Sequence, residues 1–231
     1  MDAVDPARLD TVLAAAVAPD GVRWEVVRQQ HPLLTAYVAQ LGEVDATALD
    51  RGAAIAFWID AYNAITLDVV AGAGQIQSIR ELDGGQLWTT RSFRVAGAMR
   101  TLDDVENQAR SFGDPRVHAA LNCASRGCAP LAPRAYRAAT IEADLDAAAR
   151  RWAGSTAVRV DGDRVVLSQV FDWYALDFAA KPKPGARPEP PSRGALRFLS
   201  AYVDEATRSR LNNPSAQVSF GDYDWALNRA P

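Results

Sequence analysis

The sequence predicts a single α+β domain, with helices packed on a small, mostly antiparallel sheet made of hairpins. Three observations carry this. Apolar residues recur at helical spacing through most of the chain. Short β-branched runs meet in pairs across tight turns, and no later segment is large enough to argue for a second domain. At 231 residues, one core of this size folds without staples. The expected parts are an N-terminal helical region at 1–45, a core at 46–180, a proline-rich loop at 181–191, and a C-terminal helix and tail at 192–231.

The elements follow in order. Pro6 to Val17 reads as a first helix, with Asp5 as cap and Leu9, Val12, Leu13 and Ala16 on one face. His31 stands at the start of the next clear helix, whose stripe is Leu33, Leu34, Tyr37, Val38 and Leu41, closed by Gly42. Asp50 to Gly72 is apolar almost all round, as a central buried helix is. Asp60 and Asn63 are its polar neighbours at i,i+3. Buried there, Asn63 either fastens the helix to a loop or orients a group in a site. Ser92 to Arg100 suggests a hairpin, and Thr101-Leu-Asp-Asp104 a capping-box start to a helix reaching Arg110. Glu106 on that helix reads most simply as a solvated side chain.

Arg116 to Asn122 is short, apolar and bounded by turn residues, which predicts a strand. Period-2 alternation then puts His118 and Cys123 on opposite faces unless a turn reunites them. Thr140 is the expected cap of a helix reaching Trp152. Val158–Val160 and Val165–Leu167 flank Asp161-Gly162, a sequence suited to a type I′ turn. Ser168 begins an aromatic-rich helix whose Phe171, Trp173, Tyr174 and Phe178 read as core. Lys181 to Pro191 holds five of the thirteen prolines and reads as an extended surface loop. Ser192 caps a helix to Tyr202, and Val218 to Trp225 supplies one more edge strand.

Composition narrows the function. The 48% hydrophobic and 23% charged fractions are those of an ordinary globular protein. A net charge of −3 and a pI near 5.4 provide no basic footprint for nucleic acid. The longest apolar stretch, from Ala53 to Ala73, is interrupted by Asp60, Asn63 and Asp68, so no membrane span is expected. The N-terminus lacks the basic and apolar regions of a signal peptide. As written the chain reads as cytoplasmic; with an export signal trimmed away it would be periplasmic or secreted. The sequence names no protein partner.

Chemistry concentrates in D-P-R-V-H-A-A-L-N-C-A-S-R-G-C-A-P-L, Asp114 to Leu131, which holds both cysteines and one of the two histidines. With F-W-I-D-A-Y-N-A-I-T-L (Phe57–Leu67), S-F-R-V-A-G-A-M-R-T-L-D-D-V-E (Ser92–Glu106), V-F-D-W-Y-A-L-D-F (Val170–Phe178) and the terminal Y-D-W-A-L-N (Tyr223–Asn228), this stretch strongly resembles the bacterial and plant family called domain of unknown function 547. The resemblance runs from about Val22 onward. It implies a single α+β domain with papain-like or transglutaminase-like affinity. Members commonly carry a histidine directly after the helical glutamate, where this chain has Asn107. If that histidine takes part in chemistry, this chain has lost the chemistry or uses His118 alone.

Three readings of the central stretch stand side by side. In the first, Cys123 is the nucleophile of an acyl hydrolase or transferase acting on a peptide-like amide or thioester. His118 is its base, and Asn63 or Glu106 holds the imidazole's far nitrogen. Cys128 is then resolving, structural or itself the nucleophile, and N–H groups of the Ala124–Gly127 turn form an oxyanion hole. Asn122, Ser125 and Arg126 are the loop's candidate binding residues for a carbonyl or anionic group. In the second reading the cysteines form a disulfide in a binding or scaffold module whose pocket is lined by Trp58, Tyr62 and the 171–178 aromatics. The substrate or ligand is a small or peptide-like molecule. No cofactor is required by either. In the third, His118, Cys123 and Cys128 hold zinc with an open position, with Glu106 or water as fourth partner.

Overall fold

A computed structural model describes residues 2–180 and 189–231. Helix α1 (Ala7–Ala16) leads through strands β1 (Val17–Ala18) and β2 (Gly21–Val22) to α2 (Trp24–Gln29) and α3 (His31–Leu41). Then come α4 (Arg51–Gly72), α5 (Leu87–Thr90), the hairpin β3 (Ser92–Val95) and β4 (Ala98–Thr101), and α6 (Leu102–Arg110). Helix α7 (Ile141–Ala153) precedes the hairpin β5 (Val158–Asp161) and β6 (Arg164–Leu167). The short helices α8 (Val170–Trp173) and α9 (Ala175–Phe178), then α10 (Pro191–Ser200), α11 (Glu205–Leu211) and β7 (Gln217–Phe220) complete the chain.

The architecture is α+β with small sheets, as expected. Its organising element is α4, against which α3 and α6 pack most extensively. The Asp50 carboxylate caps α4 by accepting from Ala53 N–H at 2.8 Å. Nearly every α4 side chain from Ala53 to Ala71 is buried, because neighbours cover the whole cylinder. By length and apolarity α4 would pass as a membrane span, yet 94% of its apolar window lies inside the fold, as in a core helix. Two polar groups on it are fastened to loops. Asp60 Oδ1 accepts from Tyr136 N–H at 3.0 Å, and Asn63 reaches the loop after residue 119. His31 is the first residue of α3, where its Nε2 lies 3.0 Å from Asp68 of α4.

Several expectations are corrected. Residues 116–122 form no strand. Pro115–Ala119 is a 3-10 turn started by Asp114, whose carboxylate accepts from Arg116 N–H at 3.0 Å. Asp-Pro sets the turn, and backbone bonds from Ala120 and Leu121 N–H to Val117 C=O close it, so the run is buried without a strand partner. The second hairpin pairs Asp161 with Arg164, leaving Gly162-Asp163 as its two-residue loop. Only Gly162 has positive φ (57°), so the turn is not type I′, which needs positive φ at both central residues. Strand β7 joins the edge of β6 in parallel, giving a three-stranded mixed sheet. The aromatic helix is broken at Tyr174 into α8 and α9. Thr140 makes no cap; its hydroxyl donates to Asp144 Oδ2 at 2.7 Å. Of the expected proline-rich loop, residues 181–188 lie outside the described residues.

Candidate binding pocket

Asn63 builds the floor of the site from inside α4. Its Nδ2 donates to Ala120 C=O at 2.9 Å and its Oδ1 accepts from Asn122 N–H at 2.8 Å. One buried amide therefore satisfies both a donor and an acceptor of a backbone run with no ladder of its own. Asn122 continues the scaffold: its Nδ2 donates to Ala129 C=O at 2.7 Å and its Oδ1 accepts from Ala124 N–H at 2.9 Å. The chain's tail then threads along the loop. Arg126 N–H donates to Ala226 C=O, Gly127 N–H to Asp224 C=O, and Asn228 N–H to Ala124 C=O.

This loop carries Cys123 and Cys128 joined as a disulfide, with a Cα–Cα separation of 6.2 Å. Among the described residues no cysteine is free. Polar groups gather on the sulfurs. Tyr223 Oη lies 3.1 Å from each, Ser125 Oγ lies 2.9 Å from Cys123 Sγ, and Cys123 N–H reaches Cys128 Sγ at 2.9 Å. Ser125 is buried, while Arg126 is exposed. Close approach explains Gly127: a Cβ there would meet the Tyr223 ring at 2.9 Å.

The disulfide faces a cavity of about 350 Å³. Tyr62 of α4, Trp88 of α5, and Asp103 and Glu106 of α6 contribute to its lining. His118 joins them, with Trp173 and Tyr174 from α8 and its end, and Tyr223 and Trp225 from the tail. Trp88 Nε1 donates to Tyr62 Oη at 3.2 Å. The Trp225 ring lies 5.8 Å from Trp173, 5.9 Å from Trp88 and 4.6 Å from Tyr223, so the rings form one continuous aromatic cluster.

Glu106 is buried, contrary to the solvated reading, because it lies on the same face of α6 as Leu102, Val105 and Ala109. Burial raises its carboxyl above the usual range, against the Tyr174 hydroxyl, His118 and Arg110, which favour the ionised form. Asp103 is also raised, by burial and by Asp104. Tyr223, pushed up to about 12 by burial, keeps its proton at neutral pH. His118 is held outside any cysteine pair: its Nε2 lies 2.7 Å from Asp177 Oδ2, and its ring lies 4.5 Å from Tyr174 and 5.1 Å from Phe178. Arg110 Nε donates to the same carboxylate oxygen at 2.7 Å. Burial would raise Asp177, but these two partners hold it down at about 2.

That pairing sets an acid limit. Asp177 has its folded pKa below the unfolded 3.8, so its contribution is present above about pH 4 and is lost as pH falls toward 2. Discounted for partial exposure, it amounts to about 1–2 kcal/mol. Urea midpoints measured across this range are expected to fall less steeply for Asp177→Asn than for the natural chain. Parallel curves would remove the pairing from the stability account.

The sequence-expected residues divide clearly. Cys123, Cys128, His118, Glu106 and Tyr62 meet at the cavity. Asn63 and Asn122 support it through the backbone. Trp58 does not line it; it is buried beside Phe57, with Arg100 over its ring. Of the 171–178 aromatics, Trp173 and Tyr174 line it, and Trp173 is 48% exposed instead of core. Asn107 is exposed and accepts from Arg110 Nη1. Trp88, Asp103, Asp177, Tyr223 and Trp225 were missed as site residues. The oxyanion hole expected in the 124–127 turn has its Ala124, Arg126 and Gly127 N–H groups committed to Asn122 Oδ1 and the tail. Of the three groups in the zinc reading, the two sulfurs are bonded to each other and the imidazole Nε2 faces Asp177.

Residues 46–152 match the family model described as "Protein of unknown function, DUF547", the family that the sequence resembles. The matched stretch carries Tyr62, Glu106, His118 and both cysteines, whereas Trp173, Asp177, Tyr223 and Trp225 lie beyond it. No curated protein and no solved structure matches the chain, and the papain-like or transglutaminase-like affinity gains no support.

Proposed function

We propose that the chain is a small-molecule-binding module whose cavity takes an organic cation. The observation that carries this is the lining. Among the described residues, six Trp and Tyr rings and the carboxyl groups of Asp103 and Glu106 line the space, and the one basic group in that lining, His118, faces Asp177. Aromatic faces attract a cation through their quadrupole, and a carboxylate in a partly desolvated wall adds charge. The fold already uses the first interaction: the Arg80 guanidinium lies 5.2 Å from the Trp225 ring centre, and that of Arg110 4.5 Å from Tyr174.

An acyl hydrolase or transferase acting on a peptide-like amide or thioester would need a free thiol and free backbone donors. The cysteines are paired and the Ala124, Arg126 and Gly127 N–H groups of that turn are committed, so binding is the chemistry the site supports best. An oxidising compartment would keep the pair joined.

Choline and its neutral carbon isostere, 3,3-dimethyl-1-butanol, test the reading. Tryptophan fluorescence is expected to report choline binding at least about tenfold tighter than the isostere. Glu106→Gln should abolish most of that preference. A cation favours the ionised carboxyl, so affinity should rise as pH rises through the raised Glu106 titration, and the variant should flatten the rise. Equal affinity for the two probes would refute the proposal.

A further inference from the structure

We infer that Cys123–Cys128 is an exchange-active disulfide that oxidises small aminothiols entering the cavity. The substrate class rests on the cation-binding reading above; the exchange chemistry rests on the surroundings of the sulfurs.

The bridge is poorly placed to be a stability device. Its cysteines are five residues apart, so closing the loop removes little chain entropy. Asn63, Asn122 and the tail already hold the same loop by hydrogen bonds. Ala124, directly after the first cysteine, has φ of 64°, a left-handed conformation that costs a Cβ-bearing residue energy. Strain of this kind, beside a cavity, is retained where a site uses it.

The sulfurs themselves differ. Both line the cavity, but Cys128 is 8% exposed while Cys123 is more open. Cys128 Sγ alone accepts a backbone donor, Cys123 N–H at 2.9 Å, while the Tyr223 hydroxyl lies 3.1 Å from each sulfur and the Ser125 hydroxyl lies 2.9 Å from Cys123 Sγ and 3.6 Å from Cys128 Sγ. A disulfide sulfur accepts such bonds weakly, whereas a thiolate accepts them strongly, so the hydroxyls favour the reduced pair, and the Cys123 N–H makes Cys128 the sulfur that leaves as thiolate when the more open Cys123 is attacked. Stabilising the reduced form makes a disulfide the more oxidising.

The step balances as follows. The thiolate of an aminothiol attacks Cys123 Sγ; an S–S bond to the substrate forms, the Cys123–Cys128 bond breaks, and its electron pair leaves on Cys128 Sγ as thiolate. A second substrate thiolate attacks the substrate sulfur of the mixed disulfide and displaces Cys123 as thiolate, which takes up one of the two protons released by the thiols while the other passes to solvent. Two thiols become one substrate disulfide, and their two electrons reside in the protein dithiol. The carboxyl groups of Glu106 and Asp103 favour a thiol bearing an ammonium group over one bearing a carboxylate.

The test uses folded, oxidised protein with cysteamine, 2-mercaptoethanol or 3-mercaptopropionate, quenched in acid, alkylated and weighed by mass spectrometry. Cysteamine, compared per thiolate, is expected to reduce the pair at least about tenfold faster than 3-mercaptopropionate, with 2-mercaptoethanol between them. Glu106→Gln should narrow that spread. Tyr223→Phe should lower the equilibrium constant for reduction by cysteamine about tenfold, since one bond to the thiolate is lost. Cys128→Ser given cystamine should gain the mass of one cysteamine at Cys123. A pair that yields to cysteamine only when urea unfolds the chain overturns the exchange inference and leaves choline binding standing. Fast exchange without charge preference overturns the aminothiol class alone; if choline also fails to outbind its isostere, the cation reading falls with it.

Discussion

Replacing Asn63 with leucine is expected to lower folding stability by about 3–5 kcal/mol, the cost of orphaning two buried backbone groups. Asn63 is 3% exposed, and its amide serves Ala120 C=O and Asn122 N–H at once. Leucine keeps its branching and number of heavy atoms but leaves both groups with neither partner nor water. Asn122 organises the loop carrying the disulfide, so the loss spreads to the site: choline affinity should fall with stability. Asn63→Asp separates the effects, because its carboxylate still accepts from Asn122 while the donor to Ala120 is gone. Urea denaturation showing a change below about 1 kcal/mol for the leucine variant would mean that the loop finds other partners.

Trp152→Ala is expected to cost a similar amount, about 3–5 kcal/mol, by a different route. Trp152 is fully buried on α7 and stacks on Phe171 with ring centres 4.8 Å apart. Phe178 and Phe198 stand at 6.4 and 6.2 Å. Its removal opens a cavity among three rings that cannot collapse onto alanine. Phe178 also packs on His118, so the void reaches the back of the pocket through α9 and Asp177. Trp152→Phe should recover much of the loss. If the alanine variant unfolds at the natural urea midpoint, the aromatic cluster does not hold these helices together.

Three local signals in the sequence hold in the structure, although the Thr140 cap and the type I′ turn do not. The all-round apolar run of α4, the Thr101 capping box of α6 and the β-branched hairpin each depend on residues a few positions apart. The run at 116–122 failed because a short apolar segment looks alike in a strand and in a buried turn, and here Asp114-Pro115 and Asn63 supply the backbone partners a sheet would have given. Glu106 was legible in principle: an acid four residues after Leu102 and three before Ala109 sits on an apolar stripe, where a solvated side chain does not belong. Asp177, Tyr223 and Trp225 were not. Asp177 lies 59 residues from His118 and Tyr223 100 residues from Cys123, Trp225 meets Trp88 from the far end of the chain, and no local pattern encodes these meetings.

The most direct test of the account is a crystal structure of the oxidised chain grown with choline. The ammonium is expected inside the cavity, within about 6 Å of the centres of at least two rings among Trp88, Trp173, Tyr174, Tyr223 and Trp225, with the Glu106 carboxyl turned toward it. Choline bound elsewhere, beside a Glu106 side chain packed away from the cavity, would contradict it.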